Sequence, residues 1–251
     1  MDQEKIMTML EDLRGVPSVE LKMNVPADQR MSLRGLRLDP LQGQIREVFF
    51  FDTPDLTLYH NGVVLRARRT QGKVDDTVVK LRPAVPAELP EELRLSKNLK
   101  VEMDVVKGAY VVSASLKGKR PPGSVREAIG DGGSIERLFT KEQRRFFADH
   151  KPAGADWNDV LPLGPIIVVL LKSFPEGFDW RTTIEQWNYP GEMPLLEMSI
   201  KTEPQGLIDA VVDWRAFVRK HGLTATGPQE PKTRRALEYF VKYVPKPEPV
   251  G

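Results

Sequence analysis

Nine stretches of the chain read as strands, near residues 18–25, 44–52, 62–70, 76–82, 98–106, 109–117, 165–173, 181–188 and 194–201, and in most of them apolar and polar side chains alternate. A period of two marks a strand with one face buried. Gly, Pro and Asn separate the stretches, as at Pro121-Pro122-Gly123 and at Asn61-Gly62, which reads as a hairpin turn. Strands this numerous predict a sandwich or a barrel. Helical spacing is rarer. Residues 205–221 place Leu207, Ile208, Val211, Val212 and Val218 on one stripe that ends at Gly222. Residues 231–244 place Leu237, Phe240, Val241 and Val244 on another after Pro231, and short helices are predicted over 125–129, 134–139 and 141–148. The class is therefore α+β, mainly β. A helical insertion at about 118–164 divides the strands, which fits two half-barrels of one domain or two small domains. The single domain is preferred, spanning residues 1–244 with C-terminal helices at about 205–244, followed by an extended Pro-rich tail over 245–251.

Splitting each strand into its faces gives a repeated division. Val63, Leu65 and Ala67 oppose Val64, Arg66 and Arg68, and Val79 and Leu81 oppose Lys80 and Arg82. Elsewhere the polar face carries acids as well. Val19, Leu21 and Met23 oppose Glu20, Lys22 and Asn24; Val101, Met103 and Val105 oppose Lys100, Glu102 and Asp104; Leu196, Met198 and Ile200 oppose Glu197, Ser199 and Lys201. A plain antiparallel sheet with its polar face in water accounts for this pattern. So does a closed barrel of inverted polarity, its apolar faces outward under the amphipathic helices and its charged faces inward. Cations confined in such a space repel one another and persist only with compensating charge, so the second arrangement predicts a bound anion.

The 251 residues include 37 Lys and Arg against 35 Asp and Glu, a net charge of +2. That balance provides no global field for DNA or an anionic membrane, and an anion site must come from local clustering. With no cysteine, disulfides, thiolate metal sites and thiol nucleophiles are excluded. The longest apolar run, Ile166 to Leu171, is far short of a membrane span. The first residues lack the basic, apolar and small-residue order of a signal peptide, so a cytoplasmic protein is expected. There is no phosphate-binding Gly-x-x-x-x-Gly-Lys-Ser/Thr loop and no His-Glu-x-x-His, and His60, His150 and His221 are scattered. Phe49, Phe50 and Phe51 read as core, and Trp180 and Trp187 as packing. Lys141, Arg144 and Arg145 read as a solvated helix face. RNA binding by a β-barrel is disfavoured by the weak overall charge.

Four stretches together resemble the CYTH family, the triphosphate tunnel metalloenzymes. They are Val19-Glu20-Leu21-Lys22; Phe50-Phe51-Asp52-Thr53-Pro54-Asp55-Leu56 followed by Asn61-Gly62-Val63-Val64-Leu65-Arg66-Ala67-Arg68; Val79-Lys80-Leu81-Arg82; and Leu196-Glu197-Met198-Ser199 with Pro231-Lys232-Thr233-Arg234-Arg235-Ala236-Leu237-Glu238. The resemblance covers about residues 17–243. It implies a closed eight-stranded antiparallel tunnel, a triphosphate-containing small molecule or polyphosphate as ligand, and dependence on Mg or Mn. Members include inorganic and thiamine triphosphatases, polyphosphate enzymes and a class of adenylyl cyclases. By position, Arg66, Arg68 and Lys80 match the family's phosphate-binding residues, Lys22 its N-terminal lysine, and Glu20 and Glu197 its metal-binding acids. The catalytic set is then Glu20, Lys22 and Glu197. Face parity adds Arg82, Lys117, Lys172 and Lys201 as further phosphate ligands.

Two positions depart from the family pattern. Its first motif is Glu-x-Glu-x-Lys, where this chain has Ser18-Val19-Glu20-Leu21-Lys22, and its late strand offers Glu-x-Glu, where this chain has Glu197-Met198-Ser199. Glu102 and Asp104 are the expected substitute metal ligands. Metal-assisted hydrolysis of a triphosphate is the expected function. Binding of a polyphosphate or nucleotide without turnover, or adenylyl cyclisation, are the alternatives.

Overall fold

A computed structural model describes residues 8–9, 11–36, 39–130, 132, 134–225 and 229–244, and the expected Pro-rich tail lies outside them. The described residues form nine strands: β1 Val19–Asn24, β2 Gln44–Asp52, β3 Val63–Thr70, β4 Asp75–Leu81, β5 Leu99–Val106, β6 Ala109–Arg120, β7 Leu161–Ser173, β8 Thr182–Asn188 and β9 Leu195–Thr202. Their hydrogen-bonded order is β1-β5-β6-β4-β3-β2-β7-β8-β9, closed by β9 pairing with β1. The closed, mainly β architecture is as expected; the count of eight and the all-antiparallel pairing are not. There are nine strands, and β1 runs parallel to β5 with Val19 opposite Met103. Parallel neighbours need a long crossover, supplied here by the whole run of chain through β2, β3 and β4. Among the described residues no helix is long and apolar enough to cross a membrane.

Contacts gather the chain into two compact units. The first comprises Met1–Ile45, Pro83–Ala114 and Val168–Glu230; the second comprises Arg46–Arg82, Ser115–Ile167 and Pro231–Gly251. Strands β6 and β7 supply residues to both.

In the first unit the alternation is realised as a buried apolar face: Val19, Leu21 and Met23 of β1, Met103 of β5, and Met198 and Ile200 of β9 are each 3% exposed or less. A four-residue helix, Glu91–Arg94, precedes β5, and the long helix Leu207–Lys220 follows β9. The long helix buries Leu207, Ala210, Trp214 and Phe217, while Ile208 and Val212 of the expected stripe are 78% and 61% exposed. Aromatic rings bury more area than the β-branched residues that defined the aliphatic stripe, and they set the rotation of the helix. Phe217 stacks on Phe178 with centroids 4.0 Å apart, worth about 0.5–1.5 kcal/mol beyond the area buried. Gly222 ends the helix as expected. At φ 64° it donates to the Arg219 carbonyl while the buried Leu223 donates to that of Val218, closing both bonds of a Schellman cap.

In the second unit three short helices, α1 Thr57–His60, α3 Ser124–Gly130 and α4 Lys141–His150, accompany the strands, and α6 Lys232–Phe240 is followed by a 3-10 turn at Val241–Tyr243; α2 and α5 are the two helices of the first unit. Phe49 and Phe51 are buried as expected, with Phe51 edge-on to Phe139 just ahead of α4. Thr140 and Gln143 form a capping box at the start of α4. The Gln143 amide also reaches the strands, donating to the carbonyls of Thr77 on β4 and Leu116 on β6 and accepting from the Thr77 hydroxyl. A Cβ on Gly118 of β6 would lie 2.5 Å from the Gln143 carbonyl oxygen, so only glycine admits the helix here. These contacts fix the polarity: α4 covers the face of β4 that carries Thr77, Val79 and Leu81, which leaves Asp76, Lys80 and Arg82 on the opposite face.

Asn61-Gly62 is not a hairpin turn. Asn61 caps α1, donating through its backbone and side chain to the Thr57 carbonyl, and Gly62 takes φ 76° to lead into β3. The preceding motif builds the same turn. Buried Asp52 accepts from the backbone N–H groups of Thr53, Leu58 and Tyr59, and the Thr53 hydroxyl donates to Asp55 while accepting from the Thr57 N–H. This network holds Leu56 at φ 58°, a left-handed conformation that costs a non-glycine residue about 1–2 kcal/mol. The Asp52-Thr53-Pro54-Asp55-Leu56 part of the second stretch that carries the resemblance is therefore a structural cap.

Candidate functional site

The second unit carries a row of cations on the face turned away from α4. Register places Arg66 of β3 opposite Val78 and Phe50, Arg68 opposite Asp76 and Val48, and Lys80 opposite Val64. Arg66, Arg68, Lys80 and Arg82 are all half-buried. Arg68 is held by Asp76, whose Oδ2 accepts from Nε and Nη2 at 2.8 Å each. Alternation alone did not mark Asp76; its position directly opposite Arg68 does. Arg82 follows β4 and its backbone N–H donates to the Gly62 carbonyl. Lys117 is exposed on β6, on the face opposite Leu116 and Gly118.

The first unit carries a denser cluster in which ammonium and carboxylate groups alternate. Register aligns Glu20 with Asp104 of β5 and with Lys201 of β9, so the three share one face. Lys22 Nζ lies 3.1 Å from Glu20 Oε2 and 2.9 Å from Asp104 Oδ1. Lys201 Nζ lies 3.3 Å from Glu20 Oε2 and also bonds Glu102 Oε1, which accepts from Lys100 at 2.5 Å. Ser199 donates its hydroxyl to Glu20 Oε1 at 2.8 Å. Glu197, buried, stands opposite Asn24 of β1 and Glu185 of β8. Lys100 and the Ser199 hydroxyl are additions to the expected set. Lys172 is exposed at the end of β7, on the parity of buried Val168 and Leu170.

Electrostatics follow from this packing. Burial opposes the charge on Lys22, yet Glu197, Glu20 and Asp104 outweigh it and hold the ammonium well above the ordinary lysine range. Burial likewise opposes Lys201, and Glu20 and Glu102 hold it high. Lys100 is pushed down, by burial first and by the neighbouring Lys201 ammonium. Burial would raise Glu102, but Lys201 and Lys100 pull it below the usual carboxylate range. A carboxylate lowered on folding contributes stability above its unfolded pKa of about 4.3, and that stability is lost as pH falls through the folded value. Urea unfolding of Glu102→Gln against the wild type should therefore show a gap at neutral pH that closes as pH drops below about 4. A gap unchanged at pH about 3 would show that the charge of Glu102 contributes nothing.

The divalent metal implied by the resemblance does not fit these side chains as they stand. Glu20 and Asp104 both turn their oxygens to the Lys22 ammonium, and among the described residues no group of three or more His, Asp or Glu could hold a metal ion.

No family model matches the sequence, and no curated protein matches it either. Solved structures do. A candidate adenylyl cyclase from Hippeastrum, described as having a dominant triphosphatase activity, matches with a TM-score of 0.61 at 17% identity, over 89% of this chain and 96% of its own. A candidate adenylate cyclase from Bacillus halodurans matches with a TM-score of 0.61 at 12% identity, over 88% of this chain and 97% of its own. At such identities the likeness is one of fold: this chain is built as those two proteins are, on the helix-covered barrel that its resemblance to the CYTH family implies.

Proposed function

We propose that the polar face of the barrel strands binds a triphosphate or polyphosphate chain and promotes its hydrolysis. The observation that carries the proposal is the half-buried row of Arg66, Arg68 and Lys80 on one face of two paired strands, with Arg82 beyond it. Guanidinium forks and an ammonium at this spacing present charge-assisted donors to phosphate oxygens, and partial burial keeps those bonds from being screened. Asp76 fixes Arg68 in one orientation, so less side-chain entropy is lost on binding. In the first unit, Lys22 and Lys201 form a second cluster of ammonium groups, already neutralised by carboxylates, which the Glu20→Gln variant tests. The triphosphatase activity ascribed to the Hippeastrum protein supports hydrolysis as the reaction. The cyclase names of both structural relatives make cyclisation the competing outcome. That the match runs over 89% of this chain and 96% of the Hippeastrum protein's supports reading the chain as one domain.

The test is calorimetric titration with inorganic triphosphate, followed by phosphate release from triphosphate, nucleoside triphosphates and thiamine triphosphate with Mg²⁺ or Mn²⁺, and by an assay for cyclic AMP. Each charge-assisted bond contributes about 1.5–3 kcal/mol, so Arg66→Ala should weaken triphosphate binding by about 10–100-fold. Phosphate release should vanish in Arg66→Ala and in Glu20→Gln. Release at the wild-type rate from both variants would overturn the catalytic reading.

A further inference from the structure

The carboxylates that a divalent metal would need already hold a cation. Lys22 Nζ is within 3.1 Å of Glu20 and 2.9 Å of Asp104, and the side chain is only 14% exposed. Glu20 is in turn saturated by a second ammonium, Lys201, and by the Ser199 hydroxyl on its other oxygen. Glu102 is engaged by Lys100 and Lys201. The charged groups facing this cluster are Glu20 and Lys22 from β1, Lys100, Glu102 and Asp104 from β5, Glu197 and Lys201 from β9, and Glu185 from β8.

We infer that Lys22 is the resident cation of this cluster, its ammonium standing where a divalent ion would stand, so that the protein alone takes up no Mg²⁺ or Mn²⁺ there and grips a phosphate chain without one. Mg²⁺ and Mn²⁺ require several hard oxygen ligands in near-octahedral array. To gather them from Glu20 and Asp104, an incoming ion must expel a tethered ammonium already paired to both. The tether matters: an ammonium on the same strand as Glu20 pays no translational cost to occupy its place, whereas a free ion does. The parallel pairing of β1 with β5 is what brings Asp104 beside Glu20, and Lys22 lies one residue pair further along the same face. Removing the charge at Lys22 leaves two facing carboxylates with one fewer counter-charge, an arrangement that favours a divalent ion.

This inference rests on the proposed phosphate binding in its triphosphate arm only, and its Mn²⁺ arm is read out without phosphate, so the two fail separately. Mn²⁺ is titrated into wild-type protein, Lys22→Gln and Lys22→Arg, and free Mn²⁺ is followed by electron paramagnetic resonance, with circular dichroism to confirm folding. Wild type and Lys22→Arg should show no site tighter than about 1 mM, while Lys22→Gln should gain one Mn²⁺ per chain at least about tenfold tighter. Calorimetry of wild type with inorganic triphosphate should give binding in excess EDTA to within about threefold of that in Mg²⁺. One tightly held Mn²⁺ per wild-type chain overturns the inference whatever the variants do, and so does triphosphate binding seen only with metal. A folded Lys22→Gln that binds Mn²⁺ no better than wild type also overturns it. Should triphosphate fail to bind under either condition, the phosphate reading falls and the Mn²⁺ titrations still decide the occupancy of the cluster.

Discussion

Replacing Asp52 by alanine should lower the stability of the protein by about 3–5 kcal/mol, with a fall in melting temperature of roughly 10 °C. Asp52 is 2% exposed, and its carboxylate accepts three backbone N–H groups, those of Thr53, Leu58 and Tyr59, at 2.8–2.9 Å. Truncation strands those donors, two of which belong to the first turn of α1, where no intrahelical partner exists for them. It also frees Leu56 from the turn that enforces its left-handed backbone. Burial raises the pKa of Asp52, and the N–H bonds from Leu58, Tyr59 and Thr53 pull it back only in part. The side chain is thus kept for its acceptor geometry, at some electrostatic cost. Asp52→Asn retains one acceptor oxygen and should lose less than alanine does. Thermal melts followed by circular dichroism measure both. If Asp52→Ala melts within about 2 °C of wild type, the motif does not cap the turn.

Gln143→Leu should cost about 3–4 kcal/mol, although leucine nearly matches glutamine in volume. Gln143 is fully buried and makes bonds to four groups: the Thr77 and Leu116 carbonyls, the Thr77 hydroxyl and the Thr140 N–H. A leucine fills the space and satisfies none of them, so the penalty is the desolvation of buried polar groups rather than a cavity. Leucine at exposed Arg145, on the same helix, should move stability by no more than about 0.5 kcal/mol. Urea unfolding at neutral pH separates the two. Equal midpoints for Gln143→Leu and wild type would mean that α4 is held by its phenylalanines alone.

All nine strands are legible in the sequence, within a few residues at each end, most of them by alternation and β7 by its continuous apolar run from Ile166 to Leu171. The count of eight came from the family resemblance and not from the chain's own pattern. The rotation of α5 was misread because counting aliphatic residues ignored the larger burial demanded by Trp214 and Phe217. At Asn61-Gly62 the dipeptide has the same left-handed preference in a helix cap as in a hairpin, and only the buried acceptor at Asp52 selects the cap. The cations of the candidate site follow from face parity, since parity is a property of one strand. Their partners do not. That Asp76 lies opposite Arg68, and that Asp104 and Lys201 flank Glu20, are consequences of register, which depends on how distant segments pair. The parallel pairing of β1 with β5 has no local signature at all.

Closure of the ring joins Val19 of the first strand to Thr202 of the last. One side of β1 can find its native neighbour once β5 has been made, but the other side has none until β9 leaves the ribosome. Pairings so remote along the chain are slow to form, and an unsatisfied strand edge invites intermolecular association in the interval. Nascent chains halted ahead of β9 are accordingly expected to depend on chaperones, and truncation of the last strand should be felt first as loss of solubility.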